Sequence, residues 1–206
     1  MNYEVLIFDL DGTLYYQTPV RIFMAVWMII HYALRPLKIR ELFAVLKYRE
    51  LREKLFAVDK EDFNVKQINE AARLCGVSQE ETERVINLWM NEKPLKLVKL
   101  FRRRKLLDAL RKFQTSGKTI IIYSDYPVKE KLRALNFEPD KYFWSTDGFI
   151  NCMKPDASGL LRIIRTFKLN AQNILYVGDR YDRDGKCAEN TGVAYMDVKE
   201  FVKNFC

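Results

Sequence analysis

Two aspartates, Asp9 and Asp11, stand one residue apart in the stretch FDLDGTLYY, directly after the apolar run Val5–Phe8. A short apolar run followed by a turn is typical of a buried strand, so both carboxylates are predicted at the tip of the first strand. One carboxylate held there can attack an electrophile or bind a cation, and the other can transfer protons. Gly12 permits a tight turn, and Thr13 adds a hydroxyl beside them.

Polar groups also follow the later apolar runs, which are Thr119–Ser124, Asn173–Gly178 and the weaker Val193–Met196. Ser124 ends the second run and Asp125 follows it, while Asp179 follows the third and Asp184 lies five residues further on. Lys154 precedes a helical pattern that begins at Asp156. If these runs are parallel strands, their carboxyl ends bring all of these side chains to one edge of the sheet.

Helical patterns separate the later runs: Leu106–Thr115, Val128–Leu135, Asp156–Phe167 and Arg183–Asn190. Strands that alternate with helices predict an α/β fold, a Rossmann-like three-layer arrangement with a parallel sheet covered on both faces. Between the first two strands, about a hundred residues read instead as helices, roughly Val20–Leu34, Leu37–Ala57, Val65–Cys75 and Gln79–Met90. The sequence therefore predicts a catalytic body, residues 1–15 and 106–206, and a helical insert, residues 16–105.

Charge supports this division of the chain. The insert carries 19 Lys and Arg against 11 Asp and Glu, whereas the remainder carries 16 of each. Its cations, from Arg21, Arg35 or the Arg102–Arg104 run, could draw an anionic ligand towards the edge of the sheet. The apolar stretch Ile22–Leu34 is too short to cross a membrane, at about 1.5 Å per residue. We expect it to be the central helix of the insert, packed on all sides; the alternative is an exposed apolar face that forms a dimer contact or a pocket for an apolar substrate.

Two scarcities limit the chemistry. His31 is the single histidine and lies in an apolar stretch, so we expect it to be packed or at the surface, and we expect carboxylates to transfer any protons. The four cysteines, Cys75, Cys152, Cys187 and Cys206, lack pairing or metal-ligand spacing. They read as reduced thiols of a cytoplasmic protein, and the amino terminus has no signal-peptide pattern.

In this order, DxDGT, a hydroxyl, a lysine and GDxxxxD, the motifs resemble those of the haloacid dehalogenase superfamily. The resemblance is to its phosphatase branch with an inserted helical (type C1) cap, similar to phosphoglycolate phosphatases. It implies a Mg²⁺-dependent phosphomonoester hydrolase that acts through an aspartyl-phosphate. Asp11 argues for this branch, because the dehalogenases of the superfamily lack the second aspartate and use no magnesium.

The resemblance also implies a role for each motif residue. Asp9 would be the nucleophile and a metal ligand, and Asp11 the general acid and base, with its backbone carbonyl facing the metal. Asp179 would be the other metal ligand, and Asp184 would hold Lys154 or a metal-bound water. The phosphate would be bound by Gly12, Thr13, Ser124, Asp125 and Lys154, although Asp125 and Asp182 read more simply as turn formers.

Two alternatives to this function remain open. The motifs also occur in the superfamily's phosphomutases, and the basic insert could belong to a membrane- or anion-binding protein built on a vestigial enzyme. We expect a small anionic phosphorylated substrate, no nucleic-acid partner, since no such motif is present, and no stable membrane insertion. A homodimer through the insert is possible, and the sequence does not identify the phosphate ester.

Overall fold

The computed structural model describes residues 3–54 and 63–206, and its centre is a single parallel sheet. The strands are β1 Val5–Phe8, β2 Thr119–Ser124, β3 Lys141–Trp144, β4 Ile174–Gly178 and β5 Ala194–Asp197. They lie in the order β3-β2-β1-β4-β5, and every neighbouring pair is parallel. The α/β fold is therefore confirmed, with β1 at the centre between β2 and β4.

The central strand is buried on both faces, as its unbroken apolar sequence indicates. Leu6 and Phe8 belong to one core cluster, and Val5 and Ile7 belong to the cluster on the opposite face. This division follows from the two-residue period of a strand, which sends alternate side chains to opposite faces. Helices cover both faces, so the end of β1 is held rigidly in the middle of the sheet.

The helices of the body agree in outline with the sequence patterns. They are α6 Arg104–Thr115, α7 Lys129–Leu135, α8 Ser158–Thr166, α9 Lys186–Glu189 and α10 Val198–Phe205. A π-helical turn, Tyr181–Gly185, precedes α9, so the predicted helix Arg183–Asn190 is shorter than expected. The sequence patterns did not predict β3 or α10.

Among the residues that the structure describes in the insert, all regular elements are helical, joined by short connections. They are α1 Gln17–Ala33, α2 Ile39–Lys54, α3 Phe63–Cys75, α4 Gln79–Ile86 and α5 Leu95–Leu100. The predicted helix Gln79–Met90 continues from α4 into a π-helical segment, Asn87–Glu92, and the end of the predicted Leu37–Ala57 lies outside the described residues. Helix α5 was not predicted. The exact limits 15/16 and 105/106 of the insert stay a prediction.

Helix α1 does not have the environment expected for it. Only one stripe, Val20, Met24, Met28 and Tyr32, is buried, because a helix with neighbours on one side buries only the positions that recur every four residues. Large apolar side chains on its other faces are 41–77 % exposed: Ile22, Phe23, Val26, Trp27, Ile29, Ile30 and Leu34. The expectation of a helix packed on all sides is therefore wrong, and the alternative of an exposed apolar face is correct. A dimer through this face stays a prediction.

Other expectations concern the thiols, the histidine and the membrane. All four cysteines are free thiols. His31 lies against the ring of Trp89, with its Nδ1 2.8 Å from a guanidinium nitrogen of Arg35. In the described part of the chain, no single helix has the length and apolarity needed to cross a membrane, although the segments Gln17–Ala33 and Pro36–Arg52, bent by 118° to each other, meet that test as a pair.

Candidate active site

The side chains predicted to act together do lie together, at the carboxyl edge of the sheet. A cavity of about 40 Å³ is lined by Asp9, Asp11, Ser124, Asp125, Lys154, Asp179 and Asp184. The register explains this gathering, because β1 pairs with β2 on one side and β4 on the other, so their ends are neighbours. Thr13 contributes a hydroxyl that donates a hydrogen bond to Asp9 Oδ2 at 3.3 Å.

Lys154 is the buried cation of the cluster. Its Nζ lies 2.7 Å from Asp9 Oδ1 and 2.6 Å from Asp184 Oδ1, and only 2 % of its side chain is exposed. Burial alone would lower the pKa of Lys154, but the carboxylates of Asp184 and Asp9 outweigh it, so the pKa lies well above its usual value. The ammonium therefore stays charged and faces the oxygen atoms of Asp9.

Three carboxylates are arranged as ligands for a small cation. Asp9, Asp179 and Asp184 each offer an oxygen, and these oxygens lie within 4.8 Å of one another. Burial, and then the neighbouring charge of Asp184, raises the pKa of Asp179 to about 6, and burial raises that of Asp9 well above its usual value. The cost of crowding these charges falls if a divalent cation binds, and three carboxylates form a ligand set suited to Mg²⁺. The donor set therefore fits the predicted metal, and it includes Asp184, which the sequence placed outside the ligand shell.

Two glycines allow the acidic side chains to approach so closely. Gly12 has a φ of +98°, and a Cβ at this position would lie 2.1 Å from Asp179 Oδ2. A Cβ on Gly178 would lie 2.4 Å from Asp184 Oδ2. Neither carboxylate could keep its place beside a larger residue, so both glycines are required by the geometry of the cluster.

Asp11 has partners that the sequence did not predict. Lys131 on α7 places its Nζ 2.6 and 2.7 Å from the two carboxylate oxygens, and Tyr15 donates its hydroxyl to Asp11 Oδ1 at 2.5 Å. Burial and the charge of Asp11 raise the pKa of Tyr15 well above its usual value, so the phenol stays a donor. Asp11 is thus oriented separately from Asp9, whose cation is Lys154. No sequence signal distinguishes Lys131 from its neighbour Lys129.

The residues that follow β2 differ in what they offer. The Ser124 side chain lines the small cavity, and its Oγ accepts a hydrogen bond from the backbone N–H of Tyr126 at 3.3 Å. The Asp125 carboxylate instead accepts from Ser145 Oγ at 2.9 Å and from the Lys154 N–H at 3.0 Å. Asp125 thus joins the loop that carries Lys154 to β2, as expected of a structural residue. Asp182 is exposed and pairs with Arg180, and it too reads as structural.

A second, larger cavity adjoins the first and extends into the insert. It measures about 320 Å³ and shares Asp11, Gln17, Arg21 and Tyr126 with the smaller one. The rest of its wall is mostly apolar: Val20, Met24, Met28, Val45, Trp89 and Met90 are among its members. Two of the cations that the sequence suggested for attracting an anionic ligand lie near the site. Arg21 lines both cavities, and Arg103 donates a hydrogen bond to the Gly12 carbonyl at 3.3 Å.

Solved structures with a similar fold include both dehalogenases and phosphatases. A 2-haloacid dehalogenase from Pseudomonas syringae pv. Tomato matches with 17 % identity and a TM-score of 0.61, over 94 % of this chain and 85 % of its own. A predicted phosphoglycolate phosphatase from Haemophilus somnus matches with 14 % identity and a TM-score of 0.53, over 95 % and 84 %. A HAD phosphatase from Thermococcus onnurineus matches with 18 % identity and a TM-score of 0.54, over 93 % and 84 %. At these identities the likeness shows the fold alone.

The family is shown by the sequence itself. No curated protein matches this sequence significantly. The family model of haloacid dehalogenase-like hydrolases, however, matches residues 3–192, which include every strand but β5 and the whole acidic cluster. The chain belongs to the haloacid dehalogenase-like hydrolases.

Proposed function

We propose that this hydrolase is a Mg²⁺-dependent phosphomonoesterase that acts through a phosphorylated Asp9. The observation that carries the proposal is the pairing of two aspartates with different partners at the end of one strand. Asp9 contacts Lys154 and belongs to the acidic cluster, whereas Asp11 is held by Lys131 and Tyr15. This difference supports a role for Asp9 in nucleophilic attack and for Asp11 in proton transfer.

Phosphorus is a better electrophile for this site than a carbon–halogen bond. A halide leaves as a stable anion and needs no proton, so a dehalogenase has no use for a general acid beside its leaving group. The alkoxide released from a phosphate ester does need a proton, and Asp11 is placed to supply one. The crowded carboxylates of Asp9, Asp179 and Asp184 likewise suit a reaction in which a cation neutralises phosphate oxygens.

The residues divide the reaction as follows. Asp9 Oδ attacks phosphorus and forms an acyl phosphate, the bond from phosphorus to the alcohol oxygen breaks, and Asp11 gives that oxygen its proton. Asp11 then takes a proton from the water that attacks the same phosphorus, which returns Asp9 as a free carboxylate and releases inorganic phosphate. Lys154 and the Ser124 hydroxyl stabilise the charge on the phosphoryl oxygens. Mg²⁺, held by Asp9 and Asp179 with Asp184 in reach, would supply charge neutralisation and in-line orientation.

The test is Asp9→Asn, assayed with acetyl phosphate and para-nitrophenyl phosphate in the presence of Mg²⁺. An amide neither attacks phosphorus nor carries the charge that Lys154 pairs with, so phosphate release should fall to background. Asp182→Asn is the matched control, because Asp182 is an exposed carboxylate on a neighbouring loop, and it should retain the wild-type rate. Phosphate release by Asp9→Asn at a near wild-type rate would refute the proposal, as would chloride release from 2-chloropropionate by a wild-type enzyme that leaves both acetyl phosphate and para-nitrophenyl phosphate intact.

A further inference from the structure

We propose that the alcohol released by this enzyme is apolar: the substrate is a phosphate monoester of an aliphatic or aromatic alcohol whose tail occupies the larger cavity. This inference rests on the proposed function, since it names the substrate class of the same site. It depends on where the two cavities meet, on the side chains that line the larger one, and on its size.

Asp11 fixes the direction in which the alcohol must lie. A general acid has to reach the oxygen that bridges phosphorus and the alcohol, so that oxygen lies beside Asp11. Asp11 lines both cavities, whereas Asp9, Lys154 and Asp179 line only the small one. With the phosphoryl group beside Asp9, the alcohol carbon on the other side of the bridging oxygen therefore points into the larger cavity.

The wall of that cavity is suited to hydrocarbon. Beyond the shared residues it is made by the apolar stripe of α1, Val20, Met24 and Met28, and by Val45 and Trp89 opposite. Arg49 and Lys131 also line the cavity, together with the polar side chains of Tyr15 and Gln17. Arg49 is exposed to solvent, and the ammonium of Lys131 is bound to both oxygens of Asp11. Along the apolar part of the wall, the hydroxyls of a sugar phosphate would lose water without gaining equivalent hydrogen bonds, which disfavours such substrates.

The size of the cavity allows a tail of several carbons. Its volume of about 320 Å³ is near the lower end of the range of about 300–1,000 Å³ that is usual for small-ligand sites. The smaller cavity, about 40 Å³, has room for little more than the phosphoryl group. The tail is therefore the part of the substrate that the insert recognises, and binding should strengthen as the tail lengthens.

The experiment is a series of alkyl phosphates from ethyl to hexyl phosphate, assayed by phosphate release with acetyl phosphate as a reference that has almost no tail. Full burial of each methylene corresponds to about 0.8 kcal/mol, so kcat/KM should rise by up to about fourfold per methylene, mostly through KM. Propyl phosphate should also exceed glycerol phosphate, which has the same number of carbons and two more hydroxyls. A flat series would overturn the inference.

Two double variants test whether the larger cavity is responsible. Ile29 and Leu46 line it and are 64 % and 47 % exposed, while Ile30 and Phe43 lie beside them, are 55 % and 53 % exposed, and do not line it. Ile29→Ser/Leu46→Ser should lower the ratio of kcat/KM for hexyl over ethyl phosphate severalfold, and Ile30→Ser/Phe43→Ser should leave that ratio unchanged. Because all four side chains are exposed, folding should survive in both.

The outcomes separate the two levels of the proposal. If neither acetyl phosphate nor any alkyl phosphate releases phosphate, the proposed function fails and this inference fails with it. If acetyl phosphate is hydrolysed but the alkyl series is flat, or if both double variants change the ratio equally, only the apolar substrate class is refuted.

Discussion

Replacing Lys154 by methionine tests whether the charge of its ammonium offsets the charges of the neighbouring carboxylates, as the distances indicate. The variant keeps most of the side-chain stem and removes the ammonium from between Asp9 and Asp184, to which it lies at 2.7 and 2.6 Å. Each contact corresponds to an attraction of about 6 kcal/mol at an effective dielectric constant of about 20, before the cost of desolvation is subtracted. Removing one partner of such a buried group usually costs about 3–5 kcal/mol, because the other charges stay buried without it. We expect the free energy of unfolding to fall by about that amount.

The stability lost in Lys154→Met should depend on pH in a definite direction. Lys154 lowers the pKa of Asp9 against the raising effect of burial, so without the lysine this pKa rises further. Native Lys154→Met therefore keeps a proton on Asp9 up to a higher pH than the native wild type does, and each extra bound proton adds up to about 1.4 kcal/mol of stability per pH unit as the pH falls. The deficit of the variant should therefore shrink between about pH 7.5 and pH 5.

The assay is urea denaturation without metal at both pH values. Lys186→Met is the matched control, since Lys186 is an exposed lysine on α9, next to the same loop, and its loss should change stability by less than about 0.5 kcal/mol. Saturating Mg²⁺ should restore part of the stability of Lys154→Met, because a bound cation neutralises the same carboxylates. The reasoning fails if the loss is below about 1 kcal/mol, or if the deficit grows as the pH falls.

Two further predictions concern the proton and the metal. Asp11→Asn and Lys131→Met should both slow the hydrolysis of ethyl phosphate much more than that of para-nitrophenyl phosphate, whose phenolate needs little protonation. The loss of a general acid lowers a rate by about 10²–10⁴-fold. Equal losses on the two substrates would show that Asp11 is not the general acid. Because burial and Asp184 raise the pKa of Asp179 to about 6, Mg²⁺ affinity measured by calorimetry should fall by about tenfold per pH unit below that value, as a proton must leave before the metal binds; an affinity independent of pH would contradict this.

The sequence predicted the strands and site residues whose signals are local. Strands β1 and β2 each contain a continuous apolar run, which predicts a buried strand. Because parallel strands have their carboxyl ends at the same edge of the sheet, the polar groups that follow them are predicted to lie together. Strand β3 was missed because it is a short edge strand with no fully buried side chain. Its apolar run, Tyr142–Trp144, is only three residues long and does not alternate with polar residues. Helix α5 was not predicted because Pro94, which follows the predicted helix Gln79–Met90, is typical of a helix end, whereas proline is also favoured where a helix begins.

The sequence could not predict features that depend on contacts between distant residues. Lys131 and Asp11 are 120 positions apart in the sequence, and only the folding of the chain brings them together. The exposed face of α1 was missed for a related reason. Its unbroken apolar sequence does not reveal how many neighbouring helices cover it, and the insert covers only the stripe from Val20 to Tyr32.

The segments that join the body to the insert connect the acidic cluster at the edge of the sheet to the helices that line the larger cavity. The two connecting segments meet in an isolated antiparallel β-bridge between Tyr15 and Arg102. The Tyr16 N–H donates to the Phe101 carbonyl and the Arg103 N–H donates to the Leu14 carbonyl, both at 2.9 Å. Tyr15, the partner of Asp11, lies within this pairing. Asp11, the proposed general acid, is therefore anchored where the rigid edge of the sheet meets the first turn of α1. On the proposed function, changes to the outer residues of the insert would alter the alcohol that fits. Asp9 and Asp179 would keep their places directly after strands β1 and β4, and Lys154 its place in the loop between β3 and α8.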